Sequence, residues 1–404
     1  MLGSTAEFDS SLLQARPSLS TDSLAIYALQ STKKFIIGES MSGREIFIAC
    51  MLVGASMSSS TAAEHKASLS ASDRAVILQT LAAKMNANYI EPTIAERAGK
   101  AIAMKNAEGG YASATTAQAF SEVLAKDLRE FSGDLHFGAE FDEQFREQSA
   151  TNDIPSRAEM DSMRDEAMRR GYDIEKVERL RGNVGYIELR AFGPTEFVGP
   201  AYTAAMSLMA GTDALILDLR RNGGGSPASV AYLMSHFFPL GDIRHLNDLY
   251  FRPTNETLQF WTVPTVAPRY DKPVYVLTSA RTFSGGEECA YNFQTQKRAT
   301  LVGETTGGGA NPVSPYSVGN GIVVAIPTGR AINPVTKTNW EHVGVKPEIA
   351  VPAAQALQTA HAAILRSLIG AAKDDNERAK LQRLLAMVER GELEAPVYTL
   401  RGER

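Results

Sequence analysis

Cysteine is scarce in these 404 residues: Cys50 and Cys289 are the only two, and neither sits in a CxxC or Cys/His spacing. That excludes a disulfide framework and a cysteine-rich zinc site. The six histidines, His65, His136, His236, His245, His342 and His361, form no HExxH or HxH pattern, so neither a metal nor another cofactor is expected. Cationic blocks are missing as well. Lys33-Lys34 and Arg220-Arg221 are only pairs, and a formal net charge of −5 gives no reason to expect nucleic acid as a partner. The marked apolar run, Ile46 to Met57, is too short for a confident membrane span. What remains is 44% hydrophobic and 22% charged, an ordinary soluble composition able to bury one large core or two to three smaller ones.

The first 66 residues differ from the rest. Residues 1–40 are serine-rich and weakly patterned. From Met41 the chain reads as a secretory signal peptide, with Arg44 as its basic start, Ile46 to Met57 as its apolar centre and small residues up to Ala63. The expected location is therefore periplasmic or secreted, or cytoplasmic if this leader is not a signal. Its distance from Met1 points to initiation at Met41 or to an extended leader. Phe47-Ile48-Ala49-Cys50 only half resembles a lipoprotein cleavage site, because the cysteine falls inside the apolar run.

Residues 67–131 read as a helical subdomain. Ser70 to Asp73 can cap a first helix with Val76, Leu78, Leu81 and Met85 at helical spacing, and Pro92 marks its end. Two more helices are expected over 93–106 and 115–131, with a turn at Gly109-Gly110 between them. His136 follows in a turn that leads into a strand. The charged stretch from Ser156 to Leu180 is expected to be mostly helical, without the strand-rich insertion of a PDZ module. Strands at Val184 to Leu189 and Ala214 to Leu219 alternate with helices near 196–210 and 227–237, and 245–265 has hairpin potential. The alternation predicts an α/β core over 132–352. Ala353 to Leu400 reads as an appended helical hairpin for packing, oligomer contacts or substrate gating, with packing the preferred role.

The chain is organised around Val274 to Glu288, VYVLTSARTFSGGEE. Val274 to Leu277 suit a short buried strand, and a helix suits the residues from Gly285 onward. Ser284 then sits at a strand-to-helix turn, where free N–H groups of the first helical turn can stabilise an oxyanion. A capping serine is the structural alternative. Earlier, Arg220-Arg221-Asn222-Gly223-Gly224-Gly225 follows a strand. Gly223, Gly225 and Ala228 formally satisfy the weak GxGxxA dinucleotide signature, but Pro227 enters early and the run lies mid-chain. A loop whose backbone approaches a ligand closely fits better.

Asp218 to Gly225, Leu277 to Glu288, Leu301-Val302-Gly303-Glu304-Thr305-Thr306 and Trp340 to Glu348 occur in the order seen in C-terminal processing (tail-specific) serine proteases. The chain resembles that family over roughly residues 68–352, and within it the branch of the tricorn protease core and the interphotoreceptor retinoid-binding protein repeats. The resemblance implies a crotonase-like ββα-repeat fold without a PDZ domain, and hydrolysis of peptide bonds in peptides or protein C-terminal regions. It implies no lysine base, since Gly307-Gly308-Gly309-Ala310 stands where the Ser/Lys branch carries one, and Lys297 faces solvent in the helix before it. Ser284 as nucleophile, His136 as general base and Glu341 as its orienter are implied instead, with the N–H of Gly285 and that of Gly224 or Gly225 as oxyanion hole. His342 is a rival base.

Such a trio has a physical logic. A serine hydroxyl attacks poorly until an imidazole takes its proton, and a carboxylate fixes the imidazole's tautomer and stabilises its cation. Two competing functions share the fold or the chemistry. One is a non-catalytic module binding apolar, retinoid- or lipid-like ligands or peptides. The other is an acyl hydrolase, against which the chain order His, Ser, Glu and the missing first glycine of GxSxG both count. A homo-oligomer is compatible with either.

Overall fold

The computed structural model describes residues 68–147 and 155–392. The leader expected over 1–66, including Cys50, lies outside the described residues, as do residues 393–404 of the C-terminal extension. No described helix is long and apolar enough to cross a membrane.

Three helices open the described chain: α1 (Ala71–Asn88), α2 (Pro92–Ala107) and α3 (Ala117–Ser132). Ser70 and Asp73 close a reciprocal capping box on α1, Pro92 takes the first turn of α2, and Gly133 ends α3 in the left-handed region at φ +80. Next come β1 (Gly138–Phe141), α4 (Arg157–Arg169), β2 (Ile174–Leu180) and β3 (Val184–Leu189). The chain continues through α5 (Thr195–Met209), β4 (Ala214–Asp218), α6 (Pro227–Ser235), β5 (His245–Phe251) and β6 (Glu256–Trp261). It then forms β7 (Val274–Thr278), α7 (Gly285–Thr295), β8 (Thr300–Gly303), β9 (Val313–Gly319), β10 (Ile322–Pro327) and β11 (Gly329–Ile332). The short β12 (Ile349–Ala350) precedes α8 (Ala353–Gly370) and α9 (Asp375–Glu389).

A six-stranded sheet in the order β12-β8-β7-β4-β3-β2 carries the core; only the β2–β3 edge pair is antiparallel. Strand period decides what covers each face. Leu215, Leu217 and Val276 pack with Val198, Met206, Met234 and Phe293 of α5, α6 and α7. Ala214, Ile216 and Leu277 point the other way, onto Ala356, Ala360 and Ile364 of α8. Both faces are thus covered, as a mostly parallel sheet requires. Two smaller antiparallel sheets, β1-β10-β9 and β11-β5-β6, flank it. Helices α1–α3 share their apolar cluster with the first of these through Val318, Ile322, Val324 and Ile326.

The stretch expected to be helical from Ser156 to Leu180 needs correction. The helix stops at Arg169, Tyr172 and Asp173 take φ +56 and +66, and Ile174–Leu180 is an edge strand. Ile174, Val177 and Leu180 recur every third residue, which mimics a helix. A bulge between Ile174 and Lys176 shifts the strand's phase instead. It sends Ile174 and Val177 into one core cluster and Leu180 into the other.

Candidate active site

Strands β4 and β7 are parallel neighbours, with Asp218 beside Leu277. Their following loops therefore leave the carboxyl end of the sheet side by side, the usual place for a site in such sheets. The loops are then stapled together. Thr282 Oγ1 donates to the Leu219 carbonyl at 2.8 Å, Ser279 Oγ to that of Arg220 at 2.5 Å, and the Phe283 N–H to that of Asn222 at 3.0 Å. Ser284 is the residue before α7 and sits at φ +52, ψ −121, a conformation uncommon outside glycine. It is half-buried.

Glu287 holds this turn from within. Its carboxylate accepts from Thr306 Oγ1 at 2.5 Å, from the N–H of Gly308 at 2.6 Å and of Gly309 at 2.8 Å, and from the Ser284 N–H at 2.9 Å. Burial pushes its carboxyl upward, and those four bonds oppose that push. The glycine loop is fixed from the other side. Asn222 Oδ1 accepts the Gly224 N–H at 2.9 Å, so that donor is already committed. Gly225, at φ +139, makes no such bond, and its nitrogen lies 2.9 Å from where a Cβ on Gly285 would stand. Of the two glycines named from sequence, Gly225 is the one with an available N–H beside Gly285.

His136 and Ser284 line one cavity of about 50 Å³, together with Gly225 and Gly285. The His136 ring stacks obliquely on Phe283, 4.5 Å between centroids, and its side chain is only 8% exposed. Neither ring nitrogen makes a hydrogen bond, to Ser284 or to any other group. Burial lowers its pKa to about 4, against the opposing pull of Asp134. Glu341 Oε2 accepts the Ala310 N–H at 2.5 Å, while its Oε1 is buried without a partner. Burial, and then the charge of Asp134, push the Glu341 carboxyl up to about 8.

Asp134 is the neighbour that sequence reasoning passed over. It is fully buried, its Oδ1 lies 3.8 Å from His136 Nδ1, and it accepts from the His136 N–H, Asn311 Nδ2 and Tyr89 Oη at 2.9, 2.9 and 3.2 Å. Asp134, His136 and Glu341 each present an atom within 4.8 Å of the others. Among the described residues no other grouping could hold a cation, and the same set equally suits proton transfer. The available signal was the Asp-x-His spacing. Glu287 was also missed, although Ser284-x-x-Glu287 has the spacing of a capping box.

The remaining candidates fall away from the cavity. His342 is 56% exposed, with its Nδ1 3.8 Å from Glu341 Oε1. Lys297 is exposed, in the turn that follows α7 and not within a helix. Cys289 is buried in α7, where burial pushes its thiol well up. Arg220 and Arg221 are paired with Asp218 and Glu188.

The chain is similar in part to known proteins. Residues 183–351 match the model described as Peptidase family S41. Over 163 residues the chain is 28% identical to the carboxyl-terminal-processing peptidase 1, chloroplastic, of Arabidopsis thaliana, covering 40% of this chain and 32% of that protein. Over 152 residues it is 30% identical to the carboxyl-terminal-processing protease of Synechocystis, covering 38% of this chain and 34% of that protein. The chain thus spans about a third of the length of these relatives. A solved structure of a putative peptidase from Parabacteroides merdae aligns with a TM-score of 0.48 at 19% identity, covering 69% of this chain and 89% of that one. Residues 183–351, which hold the glycine loop, Ser284 and Glu341, are the part of the chain that is similar to peptidase family S41.

Proposed function

We propose that the chain is a serine peptidase on a crotonase-like fold of the tricorn-core type, with Ser284 as nucleophile, His136 as general base and Glu341 as orienter. Ser284 Oγ attacks the scissile carbonyl as His136 takes its proton. The N–H groups of Gly285 and Gly225 hold the oxyanion, His136 returns the proton to the leaving amine, and water resolves the acyl-enzyme. The observation that carries this reading is the turn at Ser284: a positive-φ serine at a helix head, sharing one cavity with a buried imidazole and two uncommitted glycine N–H groups. Because His136 has no hydrogen bond to give up, a small ring movement towards Ser284 costs none. Peptides or protein C-terminal regions are the proposed substrates, in keeping with the names of the two relatives, and the proposed location is periplasmic or secreted.

A fluorophosphonate serine-hydrolase probe tests it. Wild type is expected to gain one adduct by intact mass, and Ser284→Ala and His136→Ala none. A folded wild type that takes no label would overturn the reading.

One observation favours a second reading, an apolar-ligand module. A cavity of about 300 Å³ between α1 and α2, lined by Leu78, Leu81, Met85 and Ile102, is larger than the one at Ser284. Retinoid fluorescence that survives Ser284→Ala but is lost in Leu81→Trp would support it.

A further inference from the structure

Glu288 and Asn292, both buried, lie one turn apart on one face of α7, and Glu288 is four residues after Ser284, which precedes the helix. Helical side chains lean towards the N-terminus, so Glu288 leans towards Ser284. Strand β5 packs against this helix and contributes Asn247. Glu288 is 3% exposed and Asn247 0%. Asn247 faces the Glu288 carboxyl and opposes the upward push of burial on it, while Glu288 Oε1 and Asn292 Nδ2 are left without a hydrogen bond of good geometry. Buried polar atoms in folded proteins are nearly always paired, so an unpaired carboxyl oxygen on a residue that lines a cavity points to something that pairs it there. Glu288 also lines the cavity beside Ser284, whose remaining walls include Leu249, Val313, Ala331 and Trp340. Apolar walls with a few convergent polar groups are the make-up of a specificity pocket.

We propose that this cavity is the subsite for the side chain of the residue whose carbonyl Ser284 attacks, and that Glu288, backed by Asn247, selects there a small uncharged side chain with a hydrogen-bonding tip, namely serine, threonine or asparagine. The inference rests on the peptidase reading above. A cavity of about 50 Å³ suits a short side chain better than lysine, arginine or an aromatic ring. Burial pushes the Glu288 carboxyl up to about 8, so at neutral pH it is chiefly protonated and donates its O–H to a hydroxyl or amide oxygen. An acidic side chain meets no cation among these residues. Valine has the shape of threonine but would leave the Glu288 carboxyl oxygen unpaired, the situation in which polar sites discriminate most strongly.

The experiment compares peptides that differ only at this position, carrying threonine, valine, lysine or aspartate, on full-length wild type, Glu288→Gln and Glu288→Leu. Two readouts are taken: kcat/KM for peptides spanning the bond, and calorimetric affinity for peptides that end at that residue. Wild type is expected to favour threonine over valine at least tenfold in kcat/KM and at least fivefold in affinity. Glu288→Leu is expected to erase or invert both ratios, and Glu288→Gln to keep most of each. Hydrolysis in which valine or lysine is preferred, or in which Glu288→Leu leaves the ratio intact, overturns the subsite and leaves the peptidase reading standing. A threonine advantage in affinity without hydrolysis of any peptide does the reverse.

Discussion

The loop that carries Ser284 and the loop that carries His136 face one cavity but are built differently. Around Ser284 almost every donor is committed: Glu287 accepts four hydrogen bonds, Asn222 fixes Gly224, and Thr282 and Ser279 tie the two loops together. On the other side both nitrogens of His136 and one oxygen of Glu341 have no partner. The half that holds the proposed nucleophile and oxyanion donors is fixed by its own sequence neighbours. The base half is positioned by packing, against Phe283 and beside Gly309, where an added Cβ would lie 2.6 Å from His136 Cε1. In the proposed mechanism such a division keeps the oxyanion donors in place while no hydrogen bond opposes a small movement of the imidazole.

The largest effects should come from the reacting atoms. Ser284→Ala is expected to lower peptide hydrolysis by about 10⁴-fold or more, with Tm within a few degrees of wild type, because only the hydroxyl is removed. His136→Ala should follow at about 10³–10⁴-fold. Gly225→Ala breaks the rigid half: at φ +139 its Cβ would stand 2.1 Å from the Phe192 carbonyl oxygen. The expected loss is about 100- to 1,000-fold in kcat, as for a lost oxyanion donor, together with lowered Tm in calorimetry. An active, equally stable Gly225→Ala would show that the rigid half is less rigid than its hydrogen bonds imply.

The pH profile separates the two carboxylates that face His136. Burial keeps the imidazole neutral down to about pH 4, so base availability alone would give full activity from about pH 5 upward. Glu341, pushed up to about 8, is chiefly protonated at neutral pH. If its anion orients His136, kcat/KM should keep climbing to about pH 8, and Glu341→Gln should remove that climb with a loss of roughly 10- to 100-fold. A plateau from about pH 5 that survives Glu341→Gln would give the orienting role to Asp134. Stability should respond in the matching sense. The folded state resists protonating His136, so that contribution is complete above about pH 6.5 and is lost as pH falls from there towards 4. For Glu341 the raised value makes the contribution complete below 4.5 and lost as pH rises through 8.

How much of this was legible in the sequence follows from how local each signal is. The turn at Ser284 is encoded within fifteen residues, an apolar strand, Ser-Gly-Gly and a helix, and it forms where it was expected. The edge strand Ile174–Leu180 was hidden because a bulge, visible only once its partner is known, gives a strand the periodicity of a helix. Strands β9, β10 and β11 went unread. Their short runs are interrupted by Pro315, Asn320 and Pro327, and pairing with β1 and β5 supplies what propensity does not. Asp134 and Glu287 were in view but without a role, because a buried carboxylate's work lies in partners more than a hundred residues away or on the next loop: Asn311 for the one, Thr306 and Gly308 for the other.

The smallest expected effect marks where the half that holds His136 and Glu341 ends. His342 is adjacent to Glu341 in sequence and lies 3.8 Å from its unpaired oxygen, so proximity alone would make it part of the relay. Its side chain is more than half exposed, however, and a solvated imidazole shares its charge with water more than with a buried acid. Its backbone matters more. The His342 N–H donates to the Gly308 carbonyl at 2.8 Å, and at φ +62 it shapes the loop that presents Glu341. His342→Asn, which tolerates that backbone, is therefore expected to change kcat/KM less than about twofold and stability by no more than about 0.5 kcal/mol. A tenfold loss, with the climb towards pH 8 moved, would mean that Glu341 is addressed from the solvent side and that the boundary between the two halves runs through His342.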